Sequence, residues 1–263
     1  MALFVGGRGT RLSAEESAIP KALFQVGDRP IVWHIMRMFM AAGMNDFLLL
    51  LGYRGDLIAD YFIHHAPYLN ADVEVSGGRA GLHEVEILAR RDNPWRVTLC
   101  PTGTDTEKGE RLRRARKYLE DEPDFVATYG DGLADINPQA LVDFHRAHGK
   151  VATVTAVRVC SQWGHLDLDD GGRVTGLREK PPLQGWVNGG FFVFRREVLD
   201  LLEQDDTLES NCLPRLAAAG ELMAYQHEGF WTAMDTYKDN LALNQMWESG
   251  HAPWQTWSEP EKD

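Results

Sequence analysis

The sequence predicts an α/β protein: a doubly wound, Rossmann-like mixed sheet, mostly parallel, with a small C-terminal appendage. Three observations predict it. Short apolar runs alternate with stretches of helical period through the first half of the chain, as in a parallel sheet covered on both faces. The first apolar run, Ala2 to Val5, passes directly into the glycine-rich turn Gly6-Gly7-Arg8-Gly9-Thr10-Arg11-Leu12. A later run, Phe125 to Tyr129, passes directly into Gly130-Asp131-Gly132. Ligands collect at the carboxyl ends of strands in open parallel sheets, so both turns belong on one functional edge.

The elements follow in order. Ile31 to Ala42 carries apolar residues at Ile31, Ile35, Met38, Phe39 and Ala42, the stripe of a helix packed on one side. Asp46 to Leu51 is leucine-rich and reads as a strand buried on both faces. Gly52 breaks that run, and Asp56 to His65 is the next helix. Asn70 to Arg96 is less regular, punctuated by Gly77-Gly78 and Gly81. Val97 to Cys100 is a strand, and the loop from Thr102 to Thr106 follows. A helix is expected from Gly109 to Leu119, with the strongly basic stretch of the chain on it. Arg114, Arg116 and Lys117 there suit a solvated face, whereas Arg111 stands near the helix start, close to the loop.

Beyond the strand Phe125 to Tyr129, Pro138 to His148 is helical and Val151 to Val157 is a strand. Gly164 to Leu168 and Arg173 to Glu179 flank Asp169-Asp170-Gly171-Gly172, a β-hairpin, which makes the second half of the sheet mixed. Phe191 to Phe194 is a strand. Helices are expected at Glu197 to Leu202 and Asn211 to Ala219. Then come the strand Leu222 to His227 and the helix Tyr237 to Glu248. Trp247, Trp254 and Trp257 would be poorly placed in solvent, so the tail docks on the core or on another subunit. No internal repeat or low-complexity linker divides the chain. It reads as one domain over 1–248 with a tryptophan-rich docking or oligomerisation tail over 249–263.

Composition limits the functions. The chain has 263 residues, 44% hydrophobic and 25% charged, ordinary for a globular protein. A formal net charge of −12 argues against a nucleic-acid partner, which would want a basic face. It leaves room for a free nucleotide held by a few local cations and a metal. No apolar run reaches the length of a membrane span, and no signal-peptide pattern opens the chain. Cys100, Cys160 and Cys212 are odd in number and widely spaced, which fits reduced thiols in the cytoplasm. His145 and His148 sit on one helix and read as part of its polar face.

The opening turn combines backbone N–H donors free of side-chain bulk with the cations Arg11 and Lys21, as a triphosphate requires. A dinucleotide fingerprint would need a glycine where Leu12 stands, and a P-loop would need Gly-Lys-Ser/Thr, which the sequence lacks. Asp131 between two glycines at a strand end is placed to hold a metal beside a phosphate. The turn Gly6 to Leu12 with Pro20-Lys21 resembles the signature of sugar-1-phosphate nucleotidylyltransferases. Tyr129-Gly130-Asp131-Gly132, Glu179-Lys180-Pro181 and the run Trp186 to Phe194 follow in that family's order. The stretch from Gly229 to Trp247, with Ala252 to Trp257, is similar to the glucose-1-phosphate cytidylyltransferase branch.

The resemblance implies a sheet of the nucleotidyltransferase type and a reaction of CTP with a hexose 1-phosphate, giving a nucleotide sugar, CDP-glucose first, and pyrophosphate. It implies Mg2+ as cofactor, no nucleic-acid or membrane partner, a cytoplasmic home and a homo-oligomer. Relatives carry a residue or two more ahead of the first strand. Arg11 and Lys21 are the expected catalytic cations, and Asp131 and Asp235 the metal carboxylates. Gly6, Gly7, Arg8, Gly9, Thr10, Thr106, Arg111 and Gly130 are expected at the nucleotide. Glu179, Lys180, Asn188 and Gly189 are expected at the sugar phosphate. A phosphate nucleophile is already mostly ionised near neutral pH and needs no general base. Lys108-Gly109-Glu110-Arg111 departs from the family pattern and puts a lysine and a glutamate beside the nucleotide. Another base or sugar, or a nucleotide-sugar-binding relative without catalysis, are the alternatives.

Overall fold

A computed structural model of the protein describes residues 1–7, 19–66, 71–77, 83–90 and 95–257. Its centre is a seven-stranded sheet. Across the sheet the strands run Leu222–His227, Ala152–Val157, Val187–Arg195, Asp124–Tyr129, Ala2–Phe4, Asp46–Leu51 and Arg96–Pro101. Six are co-directional, and Val187–Arg195 alone runs against its neighbours on both sides. The sheet is therefore mixed and mostly parallel, as the alternation predicts.

Side chains alternate between two buried layers because successive strand residues face opposite ways. Leu3, Phe47, Leu49, Val126, Phe191 and Val193 enter one core. Ala2, Phe4, Leu48, Leu50, Phe125, Ala127, Phe192 and Phe194 enter the other. The helices Ile31–Met40 and Pro138–His148 cover the first face. Lys108–Arg114, Val198–Leu201 and Leu213–Ala218 cover the second. The antiparallel strand has a consequence for the site. Val187 and Asn188 pair with Val157 and Ala156, so its amino end lies at the carboxyl edge of the co-directional strands beside it.

Several expectations are corrected in detail. The segment read as irregular contains the antiparallel pair Ala71–Gly77 and His83–Arg90. The helix expected from Gly109 to Leu119 spans Lys108–Arg114, with a single 3-10 turn at Arg116–Tyr118. The helix expected from Asp56 to His65 is an α-turn, Gly55–Asp60, continued by a π-turn, Tyr61–His65. The hairpin His165–Leu168 with Val174–Arg178 forms, but as a separate two-stranded sheet with Leu166, Leu168, Val174 and Leu177 exposed. Trp254 and Trp257 are buried in the first core, with Trp254 beside Phe230, Trp247 and His34.

Candidate active site

The carboxyl edge of the sheet opens into a cavity of about 570 Å³. Val5, Gly6 and Gly7 line it from the first strand, and Tyr129, Gly130 and Asp131 from the strand beside it. Asn188 enters from the antiparallel strand, Thr106, Glu107, Lys108 and Arg111 from the loop and helix beyond Pro101, and Glu209 from the Leu208–Cys212 turn. Lys21, Trp231, Ala233 and Asp235 complete the wall.

Asp131 and Asp235 are far apart in sequence, and a small sheet brings them together. Gly132–Ala134 pairs antiparallel with Trp231–Ala233, and the Met234 amide donates to the Asp131 carbonyl at 2.9 Å. Asp235 is not the cap of the helix after it. Thr236 and Asp239 form the capping box there, and the Asp235 amide donates to the Asp239 carboxylate. The Asp235 side chain is thereby left to the cavity. Lys21 closes the group: its Nζ donates to Asp235 Oδ1 at 2.7 Å and to Asp131 Oδ2 at 3.3 Å. Burial works against the Lys21 ammonium, but the pull of Asp131 and the hydrogen bond to Asp235 raise its pKa above the ordinary lysine value.

Two carboxylates facing one cavity suit Mg2+, a hard cation that takes one or two carboxylates plus substrate phosphates. The donor chemistry therefore fits the expected metal. Among the described residues no group of three or more acidic, histidine or cysteine side chains forms a metal cage, so a nucleotide would have to complete the coordination.

Arg111 is buried and spends its guanidinium on backbone and hydroxyl oxygens. Nη1 donates to Leu51 O at 2.9 Å, Thr102 Oγ1 at 2.7 Å and Gly103 O at 2.9 Å. Nη2 reaches Gly6 O at 3.3 Å and Thr104 O at 3.4 Å. It thus ties together the ends of three strands. A Cβ on Gly6 would meet the Gly52 amide nitrogen at 2.7 Å, and one on Gly52 would meet the Gly6 carbonyl oxygen at 2.6 Å, so both positions require glycine for the close approach of the two backbones. Glu110 points away from the cavity, contrary to the expectation drawn from sequence. It is buried against Arg113 and Arg114, which hold its carboxyl down at about 2 against the opposing effect of burial.

Lys108, Glu209 and Tyr129 form a network that the sequence reading did not assign. Lys108 Nζ donates to Glu209 Oε1 at 2.5 Å and lies over the Tyr129 ring. The Tyr129 hydroxyl donates to the same oxygen at 2.7 Å and accepts from Asn188 Nδ2 at 3.2 Å. Burial and the Glu209 charge raise the Tyr129 pKa strongly, so its hydroxyl stays protonated and donating. The position of Tyr129 just before Gly130-Asp131 was the available signal. Glu209 lies in an irregular turn and gave none.

Of the other expected residues, Thr106 and Gly130 line the cavity with Gly6 and Gly7. Gly189 lies behind Asn188, its carbonyl accepting the Trp231 indole N–H at 2.8 Å. Glu179 and Lys180 are exposed and stand outside the cavity wall, just past the hairpin strand Val174–Arg178. Lys180 has a φ of 45°, uncommon for a residue with a side chain. Arg8, Gly9, Thr10 and Arg11 lie outside the described residues.

The family model "Nucleotidyl transferase" matches residues 2–248. A glucose-1-phosphate cytidylyltransferase of Salmonella typhi is 43% identical over 97% of this chain and 98% of its own. A probable glucose-1-phosphate cytidylyltransferase of Bacillus subtilis is 42% identical over 97% and 98%. The crystal structure of HddC from Yersinia pseudotuberculosis is similar in fold, with a TM-score of 0.68 at 19% identity, covering 94% of this chain and 98% of that one. A putative glucose-1-phosphate thymidylyltransferase from Bacillus anthracis has a TM-score of 0.67 at 15% identity, covering 98% and 96%.

Proposed function

The chain belongs to the nucleotidyl transferase family, and from that premise we propose that it joins CTP to glucose 1-phosphate, giving CDP-glucose and pyrophosphate. The observation that carries the reading is the meeting of Lys21, Asp131 and Asp235 at one edge of the sheet. The similarity to cytidylyltransferases over nearly the whole chain supports the base and the sugar.

The nucleotide lies along Gly6 and Gly7 with its phosphates toward Lys21, and the sugar phosphate enters beside Asn188, Tyr129 and Glu209. Asp131 and Asp235 would hold Mg2+, which when bound would supply charge neutralisation at the nucleotide phosphates. Lys21 lowers the repulsion between the two anions, which otherwise opposes in-line attack. No side chain has to take a proton, because the attacking phosphate oxygen is already anionic near neutral pH. The strand ends tied by Arg111 hold the turn at Gly6 in place, and positioning of this kind is a large part of catalysis between two charged substrates. Arg11 belongs with Lys21 as a second cation, Arg8, Gly9 and Thr10 with the nucleotide, and Glu179 and Lys180 with the sugar phosphate. The enzyme works in the cytoplasm as a homo-oligomer. The free thiols of all three cysteines, and the lack of a membrane-spanning helix among the described residues, are consistent with that location.

The test is pyrophosphate release from four nucleoside triphosphates against a panel of sugar 1-phosphates. CTP with glucose 1-phosphate should be the fastest pair, and Lys21→Ala should reduce its turnover by orders of magnitude. Another pair turning over faster would overturn the assignment of base or sugar. No release from any pair would leave only a binding protein.

A further inference from the structure

The two lysines that line the cavity among the described residues are each held by carboxylates. Lys108 is tied to Glu209, and Lys21 is tied twice, to Asp131 and to Asp235. The second arrangement is the informative one. Asp131 Oδ2 and Asp235 Oδ1 come from turns more than a hundred residues apart, yet they converge on one point, and the Lys21 nitrogen stands there. A divalent ion held by those two carboxylates would compete with the lysine for them. A dication and an ammonium cannot share them, since like charges at contact repel.

We propose that Lys21 is an exchangeable internal counter-ion: it holds the place of the divalent cation in the nucleotide-free protein and is released toward the phosphates when metal and nucleotide enter together. This rests on the assignment of Asp131 and Asp235 to the metal made above.

Three features support the exchange. The ammonium sits on a flexible four-carbon stem with three donors that can be re-aimed. Its side chain is 15% exposed, against 26% for Asp131 and 35% for Asp235, so the two carboxylates are the more accessible members of the group. Finally, a triphosphate arriving without metal meets a lysine already neutralised by two carboxylates, whereas one arriving with metal frees it. The charge needed on the phosphates thus becomes available only when the metal is in place. Binding of each partner then favours the other, the reciprocity that any such coupling requires.

The test needs no turnover. Mn2+ is titrated into the nucleotide-free protein and followed by electron paramagnetic resonance, for the parent, Lys21→Met and Lys108→Met. In the parent the competent, lysine-displaced state is a minor population, so removing the ammonium should tighten Mn2+ binding by roughly tenfold or more. Lys108→Met removes an equal charge from the same cavity without vacating the point between the aspartates, and should tighten binding far less. Equal effects of the two substitutions, or no tightening in Lys21→Met, would overturn the proposal and put lysine and metal on the site together.

A second measurement keeps the proposal testable if Lys21→Met does not fold. Metal-free CTP, with a chelator present, should bind Asp235→Asn more tightly than the parent, because the lysine is then held by one carboxylate. Unchanged or weaker binding would overturn the exchange. Failure of pyrophosphate release with the Mn2+ results intact would sink the proposed reaction and leave the exchange standing.

Discussion

Replacing Arg111 by methionine separates two roles that the sequence cannot distinguish: a contact to the nucleotide, and a brace for the loops that form its site. Three donor contacts of 2.7 to 2.9 Å run to Leu51 O, Thr102 Oγ1 and Gly103 O, and two longer ones reach Gly6 O and Thr104 O. Nη1 has two hydrogens for its three short contacts, so these count as two hydrogen bonds at about 1 kcal/mol each; with the long contacts discounted against the desolvation of a buried cation, the brace contributes about 2 kcal/mol. In a chain of this size that corresponds to a fall in melting temperature of roughly 4–8 °C. The assay is thermal unfolding with and without CTP, beside calorimetric titration of CTP. Lys at 111 restores the charge but not the planar fork that reaches several oxygens at once, so it should recover only part of the loss. A methionine variant that melts within about 2 °C of the parent while losing CTP affinity would refute the brace and leave a plain ligand contact.

Tyr129→Phe removes one hydroxyl between Asn188 and Glu209, and should raise KM for the sugar phosphate by roughly tenfold while leaving that for CTP nearly unchanged. Steady-state kinetics with each substrate varied check it, and an equal rise in both would refute it. Trp254→Ala empties a fully buried indole site and should destabilise the fold by about 3–5 kcal/mol, read by urea unfolding. His34 sets an acid limit. Burial holds its pKa down at about 4 against an ordinary 6.5, with Arg29 adding to the effect and the Val26 carbonyl and Asp28 opposing it. The unfolded chain therefore takes the proton first, so this stability is full above 6.5 and is lost as pH falls through 4, roughly 3 kcal/mol in all. His145 adds a loss in the same direction. His34→Gln should flatten the fall of melting temperature with acid, and an unchanged slope would refute the assignment.

The parts of the fold that were legible are those whose signals are local. Pro138–His148 ends where the sequence places it because Asn137 caps its first amides and Gly149 takes the left-handed turn at its end. Tyr237–Glu248 begins at the Thr236–Asp239 box. The strand Leu222–His227 is also found with the expected bounds. The missed elements have no such signals. Gly132–Ala134 and Trp231–Ala233 are three residues each, too short for a period, yet they set the two aspartates side by side. The pair Ala71–Gly77 and His83–Arg90 is an exception: Val73 and Val75 alternate with Glu74, and Val85 and Ile87 with Glu86, a strand signal that the sequence reading passed over because of Gly77, Gly78 and Gly81. Glu110 lies next to Arg111 in sequence, but one helical residue turns it to the opposite side, where Arg113 and Arg114 are three and four positions away. The motifs located the glycine turn, Lys21 and the aspartates. They could not show that Lys108 and Glu209, 101 positions apart, meet across the cavity.

The end of the chain completes the beginning. The segment just past Lys21 is held from the C-terminal side: Asn240 Nδ2 donates to Gln25 O, and the Gly27 amide donates to Asn244 Oδ1, both at 2.8 Å. The Trp247 ring lies against Gly27, which has a φ of 66° and no room for a Cβ, so that turn must be glycine. Beneath it the indole N–H of Trp254 donates to His34 Nδ1, which requires the neutral ring to carry its proton on Nε2 and give it to Val26 O. A proton added to Nδ1 would break the contact to Trp254 and leave a charge in an apolar layer. Lys21 is therefore placed by two connections. Its ammonium is fixed by Asp131 and Asp235, and its backbone is fixed through Gln25, Val26 and Gly27 by a helix and tail more than two hundred residues later. Loosening the tail should then be felt first at the cation site, as a loss of catalysis that precedes unfolding when the protein is warmed or acidified.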